Sequence, residues 1–343
     1  MARPDVTVVV VTWQQRDLVL SCLESVATQT VPAHVVVVDN GSSDGTVEAV
    51  AAAYPHVELV ALPDNRGFAG GMDAGLARVR TRYVALLNND AVADPGWLAA
   101  SLAPLQAPDV AAVTAKLLLD PDGEAHGDAR AERGVGTAAT VNNAGVVLLA
   151  TGYGADRGLG QPDDARFAQP VEVFGFSGGA AVLRTMAVRA VGGFAAEWFM
   201  YYEDTDLSWR LRLAGWRIVY APGAVVWHRH AASSDAASRL FAFHNERNRI
   251  LMLARNAPAR VTAAAMARFV LTTASLAAKR VAGREVPPAA VFDVGLRLEV
   301  ARDVVARLAP TLRQRRQGPR VRSRRAVHAR WAGVAERPVP SGG

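Results

Sequence analysis

The sequence predicts an α/β fold: a doubly wound half on a parallel sheet, a loop-rich connection, a second mixed segment and a helical C-terminal extension. Three observations predict it. Short apolar β-branched runs alternate with helical stretches from residue 6 to about residue 118, Gly-, Asp- and Asn-rich turns follow those runs, and after Ser238 the pattern becomes helical throughout.

The runs Val6–Val11, Val35–Val38, Val57–Leu62 and Tyr83–Leu87 read as strands buried on both faces, as strands of a helix-covered parallel sheet must be. Helices are expected near 16–28, 44–53 and 68–80. In such sheets ligands bind beyond the carboxyl ends of the strands. Functional residues are therefore expected at Thr12 and Trp13, Asp39 and Asn40, Asp64 to Gly67, and Asn88 to Asp90. Residues 120–170 are rich in Gly, Asp and Ala, with an apolar patch Val146–Leu149, and read as a connection holding a strand or hairpin.

Next come a strand Val171–Phe174, a Gly178-Gly179 turn, a strand or helix start through Leu183, and a helix from about Thr205 to Ala214 that Gly215 closes at C′. Two short strands follow, Arg217–Tyr220 and Val225–Trp227. Three helices fill Ser238 to about Leu312, interrupted near Pro258 and at Pro287-Pro288. The stretch Val261–Ala278 is long and apolar, but Arg268 in its middle and its Ala and Thr content favour a packed or interfacial helix over a membrane span.

At 343 residues, 50% of them hydrophobic, the chain can bury one large or two modest cores. The lone cysteine, Cys22, excludes an intramolecular disulfide, a four-cysteine zinc site and an iron–sulfur cluster, and suits a reducing cytoplasm. Val6–Val11 follows Asp5 and is too short for a signal-peptide core. Arg313 to Arg330 hold eight arginines and no acid; since Glu336 and Arg337 cancel, the net +6 of the chain leaves residues 1–312 at −2. A body without basic surplus argues against a nucleic-acid groove, whereas a compact arginine run suits phosphate-rich surfaces such as anionic lipid. A solvated tail with no partner is the plain alternative.

Four segments carry the candidate chemistry. Asp39–Thr46 follows a strand and opens a helix: a strand-end carboxylate can bind a base or ribose, although these residues are also ordinary turn formers and caps. In Pro63–Gly71, Asn65 and Arg66 could hold ribose or diphosphate oxygens beside Gly67, but the glycines do not fit the dinucleotide fingerprint, which disfavours a nicotinamide dehydrogenase. Leu86–Ala91 delivers Asn88, Asn89 and Asp90 to the same crevice. One carboxylate suffices for a hard divalent ion when substrate phosphates and water complete its shell. In Phe199–Trp216, Glu203, Asp204 and Asp206 cluster at a helix start, where one carboxylate serves capping and a desolvated one can act as general base. His228 ends an apolar strand, a place for a core histidine or for one reaching the crevice.

In order, VVVTW, VDNGSSDGT, DNRGFAGG, LLNND, FSGGAAVLR, GGF with FMYYEDTDLSWRLRLAGW, and VVWH resemble glycosyltransferase family 2, especially its bacterial rhamnosyltransferase-like members. The resemblance spans about Val6 to Arg229. It implies a GT-A-type nucleotide-sugar-binding mixed sheet flanked by helices, with residues 1–235 as the transferase domain (nucleotide half 1–118, acceptor half 119–235), 236–312 as a helical extension and 313–343 as a basic disordered tail. Thr12, Trp13 and Asp39 would then contact the nucleoside, Asn65 to Gly67 its ribose and diphosphate, and Asn88 and Asn89 the donor.

Asp90 and His228 would hold Mg²⁺ or Mn²⁺, with Asp204 as base, Glu203 and Asp206 as its acidic neighbours, and Ser177, Gly178 and Gly179 at the acceptor. Asn88 replaces an aspartate of many relatives, and Met72-Asp73 replace a common asparagine pair. The activity implied is inverting transfer from a dTDP-rhamnose or UDP-hexose type donor to a lipid-linked or cell-wall glycan, at the inner face of a membrane; a homo-oligomer is compatible with the sequence. A nucleotidyltransferase is the first rival, against which stands the absence of lysine in residues 1–115; a non-catalytic sugar-binding protein is the second.

Overall fold

A computed structural model describes residues 4–120, 139–229 and 238–339. The middle of the expected loop-rich connection, the expected boundary at 235 and the last four residues lie outside the described residues. The first half runs β1 (Val6–Thr12), α1 (Arg16–Ala27), β2 (His34–Asp39), α2 (Thr46–Ala53), β3 (Glu58–Ala61), α3 (Gly67–Arg78) and β4 (Tyr83–Asn88). Each strand matches its expected run to within one residue at either end. Parallel pairing places β1 between β2 and β4, with β3 outside β2.

The chain continues through β5 (Ala91–Ala93), α4 (Trp97–Leu102), β6 (Val110–Leu119), β7 (Val141–Asn143), β8 (Val146–Leu148), β9 (Gly154–Asp156), β10 (Val171–Glu172), β11 (Ala180–Arg184), α5 (Thr185–Ala190), α6 (Glu203–Leu213) and β12 (Arg217–His228). The helices α7 (Arg239–Asn256), α8 (Ala259–Val281), α9 (Val294–Gln317) and α10 (Arg324–Trp331) follow, then β13 (Arg337–Pro338). Beyond β4 the sheet is mixed: β11 lies antiparallel between β4 and β6, β12 is parallel to β6, and β10 and β13 complete that edge. The β8–β9 hairpin stands apart.

Alternate residues of the central strands feed two cores on opposite faces. Val8 and Val10 pack with Val19, Cys22 and Leu23 of α1; Val9 and Val11 pack with Met72 and Leu76 of α3 and with Leu207 and Leu211 of α6. A third core joins Trp209 of α6 to Ile250 and Leu253 of α7, Val300 of α9 and Trp331 of α10. Gly215, at φ +95°, ends α6 as expected, its N–H bonded to the Arg212 carbonyl while the Trp216 N–H bonds that of Leu211.

Four expectations change. The two short strands near residues 217–227 are one strand, β12, whose register shifts between Tyr220 and Val225, because Pro222 has no N–H to give a ladder and a bulge absorbs it. The strand expected to reach Phe174 stops at Glu172, because the Arg212 guanidinium takes the carbonyls of Val173 and Phe174. The ten-residue strand β6 was not anticipated: its alanine-rich run carries no clear period, and burial between β11 and β12 decides it.

The basic tail is ordered through most of its length. The α9 helix runs on to Gln317, and α10 buries Val327 and Trp331. Trp331 packs edge-on against Phe174 and under the Arg212 guanidinium, 4.3 Å from its ring centroid, and β13 pairs with β10. One tryptophan and a two-residue strand thus return the tail to the sheet and to α6.

Candidate active site

The register of the sheet aligns the strand ends. Thr12 of β1 stands opposite Asp39 of β2, and Val11 opposite Asn88 of β4, so the residues expected at the strand ends share one edge. The sheet order reverses at β1, with β2 and β3 on one side and β4 on the other, which opens the crevice where nucleotides bind in open α/β sheets.

A cavity of about 390 Å³ occupies this edge. Thr12, Trp13, Asn65, Gly67, Asn88 and Asn89 line it together with Ser177, Gly178, Gly179, Glu203 and Asp204. Asn89 donates to Thr12 Oγ1 at 3.2 Å and to Gln15 Oε1 at 3.3 Å, which ties the ends of β4 and β1. Gly67 adopts φ +68°, and a Cβ there would overlap the Phe199 carbonyl, so glycine alone allows α3 to start against the segment before α6. Trp13 is 49% exposed, an open aromatic face at the cavity mouth.

Two nucleotide-side residues lie beside the cavity. Asp39 is buried; its Oδ2 accepts the N–H groups of Gly41 and Ser42, and among the described residues its Oδ1 has no hydrogen-bond partner. A buried carboxylate oxygen without a partner is costly unless a ligand supplies one. Arg66 is turned to Asp64, 3.5 Å away, and stands in solvent rather than in the cavity.

Asp204 is held from two directions. Oδ2 accepts the Gly178 N–H at 3.0 Å, and Oδ1 accepts the Thr205 N–H and hydroxyl. Burial raises its pKa, while these hydrogen bonds oppose the rise. In Glu203 burial dominates, with the charges of Asp204 and Asp206 adding to it, and the carboxyl is pushed up to about 8. The Glu203 Oε2 atom is buried without a partner. Asp156, on β9, is pushed up to about 6 by desolvation and then by Asp204, against a 2.6 Å hydrogen bond from Asn143.

Asp206 does not belong to this cluster. It is fully buried on another side of α6, where Oδ2 meets Arg210 and Arg255 and Oδ1 accepts from Asn256. Two helical positions apart means about 200° of rotation, so Asp204 and Asp206 cannot face one site. The acidic cluster expected from the sequence is thus Glu203 with Asp204.

The segment leading into α6 has an unusual backbone: Phe199, Tyr201 and Tyr202 adopt φ of 70°, 70° and 67°. Such conformations are unfavourable for aromatic residues and persist only where surroundings impose them. Asn248 of α7 imposes them, donating its amide to the carbonyls of Trp198, Met200 and Tyr201, with Arg247 also on Trp198. The helical extension therefore builds part of the site. Gln15, Asn40, Phe68, Phe199, Met200, Tyr201 and Leu240 also line the cavity, without having been assigned roles. Asn40 stood at an expected strand end and Phe199 to Tyr201 within a singled-out motif; Leu240, at the start of α7, carries no signal in the sequence.

Asp90 and His228 meet beneath the cavity. His228 Nε2 lies 3.0 Å from Asp90 Oδ1 and 3.2 Å from Asn88 Nδ2, while Nδ1 faces Asn142 Oδ1 at 2.9 Å. An amide oxygen only accepts, so Nδ1 carries a proton, and Nε2 is the ring nitrogen turned toward Asp90. That is the arrangement a metal-ligating histidine needs. No group of three or more His, Cys, Asp or Glu side chains able to hold a metal occurs among the described residues. Asp90 and His228 fit an ion whose remaining ligands come from a bound diphosphate and water.

Residues 4–249 match the family described as Glycosyltransferase like family 2. The chain is 31% identical over 235 residues to the N-acetylglucosaminyl-diphospho-decaprenol L-rhamnosyltransferase of Mycobacterium tuberculosis, covering 62% of this chain and 72% of that protein. It is 32% identical over 201 residues to the pre-mycofactocin glycosyltransferase of the same organism, covering 57% of this chain and 37% of that protein. The fold is similar to that of the mannosyltransferase PcManGT from Pyrobaculum calidifontis, solved with GDP-Man and Mn²⁺: TM-score 0.51, 20% identity, 92% of this chain and 86% of that one. It is also similar to that of GalNAc-T7, solved with UDP, GalNAc and Mn²⁺: TM-score 0.56, 13% identity, 74% of this chain and 48% of that one.

Proposed function

This chain belongs to glycosyltransferase-like family 2, and from that premise we propose that it is an inverting transferase that moves a sugar from a dTDP-rhamnose or UDP-hexose type donor to a hydroxyl of a lipid-linked or cell-wall glycan. It is a glycosyltransferase with a GT-A fold and a nucleotide-sugar donor, which sets aside both the nucleotidyltransferase and the non-catalytic sugar-binding readings. The donor and acceptor classes rest on likeness to the mycobacterial rhamnosyltransferase, whose name gives a polyprenyl diphosphate sugar as acceptor.

One observation carries the mechanism: the strand-end residues and Asp204 line a single cavity. Asp39 Oδ1, buried and unpaired, suits a donor group of the nucleoside; Asn65 and Gly67 flank the diphosphate. Asp204 takes the acceptor hydroxyl proton as that oxygen bonds to the anomeric carbon and the bond from carbon to the diphosphate oxygen breaks, with inversion. The Gly178 N–H fixes the carboxylate that does this. Asp90 and His228 would hold Mg²⁺ or Mn²⁺, which would supply charge neutralisation at the departing diphosphate. Burial raises the Glu203 carboxyl to about 8 and so favours its neutral form beside Asp204.

We place the enzyme in the cytoplasm, peripheral at the inner face of the membrane. Support comes from α8, long and apolar enough to cross a membrane by length and composition. It packs through Ala265, Phe269 and Leu276 and leaves Val270, Leu271 and Val281 exposed. Nucleotide-sugar panels (dTDP, UDP and GDP series) with Mg²⁺ or Mn²⁺ and a polyprenyl diphosphate N-acetylglucosamine acceptor test the reading. Release of nucleoside diphosphate with an inverted product supports it; retention of configuration overturns it.

A further inference from the structure

Away from the candidate site, beside the C-terminal half of α6, lies a second cavity of about 340 Å³. Its side-chain lining is cationic: Arg189, Arg210, Arg255, Arg315, Arg320 and Arg324, with no acidic residue. An adjoining recess at the start of α8 shares Arg315, Arg320 and Arg324 and adds Arg322 and Arg325. The carboxylate beneath, Asp206, is consumed by Arg210 and Arg255. Six guanidinium groups around one cavity therefore face one buried countercharge.

Capping accounts for part of this cluster. Arg315 Nη1 donates to the carbonyls of Ala254 and Ala257 at the end of α7, Arg324 Nη2 to that of Arg315, and Arg189 Nη2 to those of Leu76 and Val79. These bonds occupy one nitrogen of each guanidinium, which has five N–H donors across three nitrogens. Among the described residues, Arg255 Nε and Arg324 Nε are buried without partners, and Arg320, exposed, makes no side-chain hydrogen bond. Burial, then the neighbouring Arg315 and Arg320, lower the Arg324 pKa to about 10. Mere capping does not require the arginines to converge. Held by carbonyls, they are positioned before any ligand arrives, which lowers the entropic cost of binding one.

We propose that this cavity is an anion site for a phosphate-bearing group, of mono- or diphosphate size, distinct from the donor cavity. Planar guanidinium forks match phosphate oxygens, and convergent forks in a partly buried cavity discriminate phosphate from a diffuse counterion cloud. The phosphate can be free or carried on a lipid headgroup; the recess beside the start of α8 leaves either route open to the same arginines.

The test uses the full chain without added metal, with EDTA, at constant ionic strength. Inorganic pyrophosphate is titrated calorimetrically, and vesicles of phosphatidylcholine with and without phosphatidic acid are floated. Arg320→Glu is the diagnostic variant, since Arg320 holds no protein partner; Arg320→Gln serves if the glutamate variant melts early. Saturable pyrophosphate binding that weakens tenfold or more in the variant, with nucleoside diphosphate binding in Mn²⁺ unchanged, supports a free-phosphate ligand. Phosphatidic acid-dependent flotation lost in the variant, without pyrophosphate binding, supports the lipid-borne form. No binding of either probe, or binding equal in wild type and variant, overturns the proposal. None of these readouts depends on sugar transfer.

Discussion

The backbone N–H of Gly178 donates to Asp204 Oδ2 at 3.0 Å, joining the glycine turn ahead of β11 to the first turn of α6. That bond favours the charged form of a carboxylate whose pKa burial raises. Asp204→Asn keeps shape and volume but cannot take a proton. Transfer should fall by roughly a hundredfold or more while nucleoside diphosphate affinity stays within about twofold of wild type. Because burial raises the Asp204 pKa, the acidic limb of the rate profile should lie above the ordinary aspartate range. Steady-state kinetics across pH check both; a larger loss of turnover in Glu203→Gln would move the base to Glu203.

Glu203 should make the stability of the fold fall from mildly acidic to neutral pH. Its carboxyl is raised from 4.5 to about 8, so between those values the folded protein keeps a proton that the unfolded chain has lost. Stability contributed by the neutral form is therefore present at low pH and declines as pH rises through that window. Melting temperature should drop across pH 5 to 8 in the wild type, and Glu203→Gln should flatten the profile. Parallel profiles would remove Glu203 as the titrating group.

Asn142 sets the His228 tautomer through a 2.9 Å contact at Nδ1. Replacing Asn142 with alanine should weaken Mn²⁺ binding in the presence of nucleoside diphosphate by about 10- to 100-fold, the usual cost of losing such an outer partner. Asp90→Ala should abolish it, and EDTA should stop transfer. Electron paramagnetic resonance titration of Mn²⁺ reads affinity directly, and full activity in EDTA would exclude the ion.

Asp206 should matter for stability rather than chemistry. Asp206→Asn leaves Arg210 and Arg255 buried without their countercharge, a change that costs about 3–5 kcal/mol when one partner of a buried ion pair is removed. Urea unfolding should show that loss, while kcat per folded molecule at low temperature stays near wild type. A normal unfolding midpoint would contradict the burial.

Membrane attachment should follow the exposed face of α8. Val270 and Leu271 are 63% and 69% exposed, so Val270→Asp with Leu271→Asp leaves the core intact while opposing insertion. Flotation on vesicles with the wild-type lipid mixture should fall at least severalfold in the double variant. Unchanged flotation would point to another surface.

Much of this protein is determined by its sequence alone. The near-continuous valine runs at β1, β2 and β4 can satisfy their apolar faces only inside a helix-covered sheet, and the polar residues after each run mark where that sheet opens. Seven motifs in order identified the family; Thr12, Asn65 and Asn88 were expected at the strand-end crevice, and the resemblance put Gly178 at the acceptor and Asp204 as base. Tertiary structure decided the rest, wherever distant partners choose between local options. Which acid of Glu203, Asp204 and Asp206 faces the cavity depends on Arg255, 49 positions downstream, drawing Asp206 inward. The strained backbone before α6 exists because Asn248 holds its carbonyls. The arginine-rich tail, polar and without a period of its own, is folded because Trp331 finds Phe174 and Arg212. Local pattern encodes burial and turns, but a charge is paired or left free only by what the fold brings beside it.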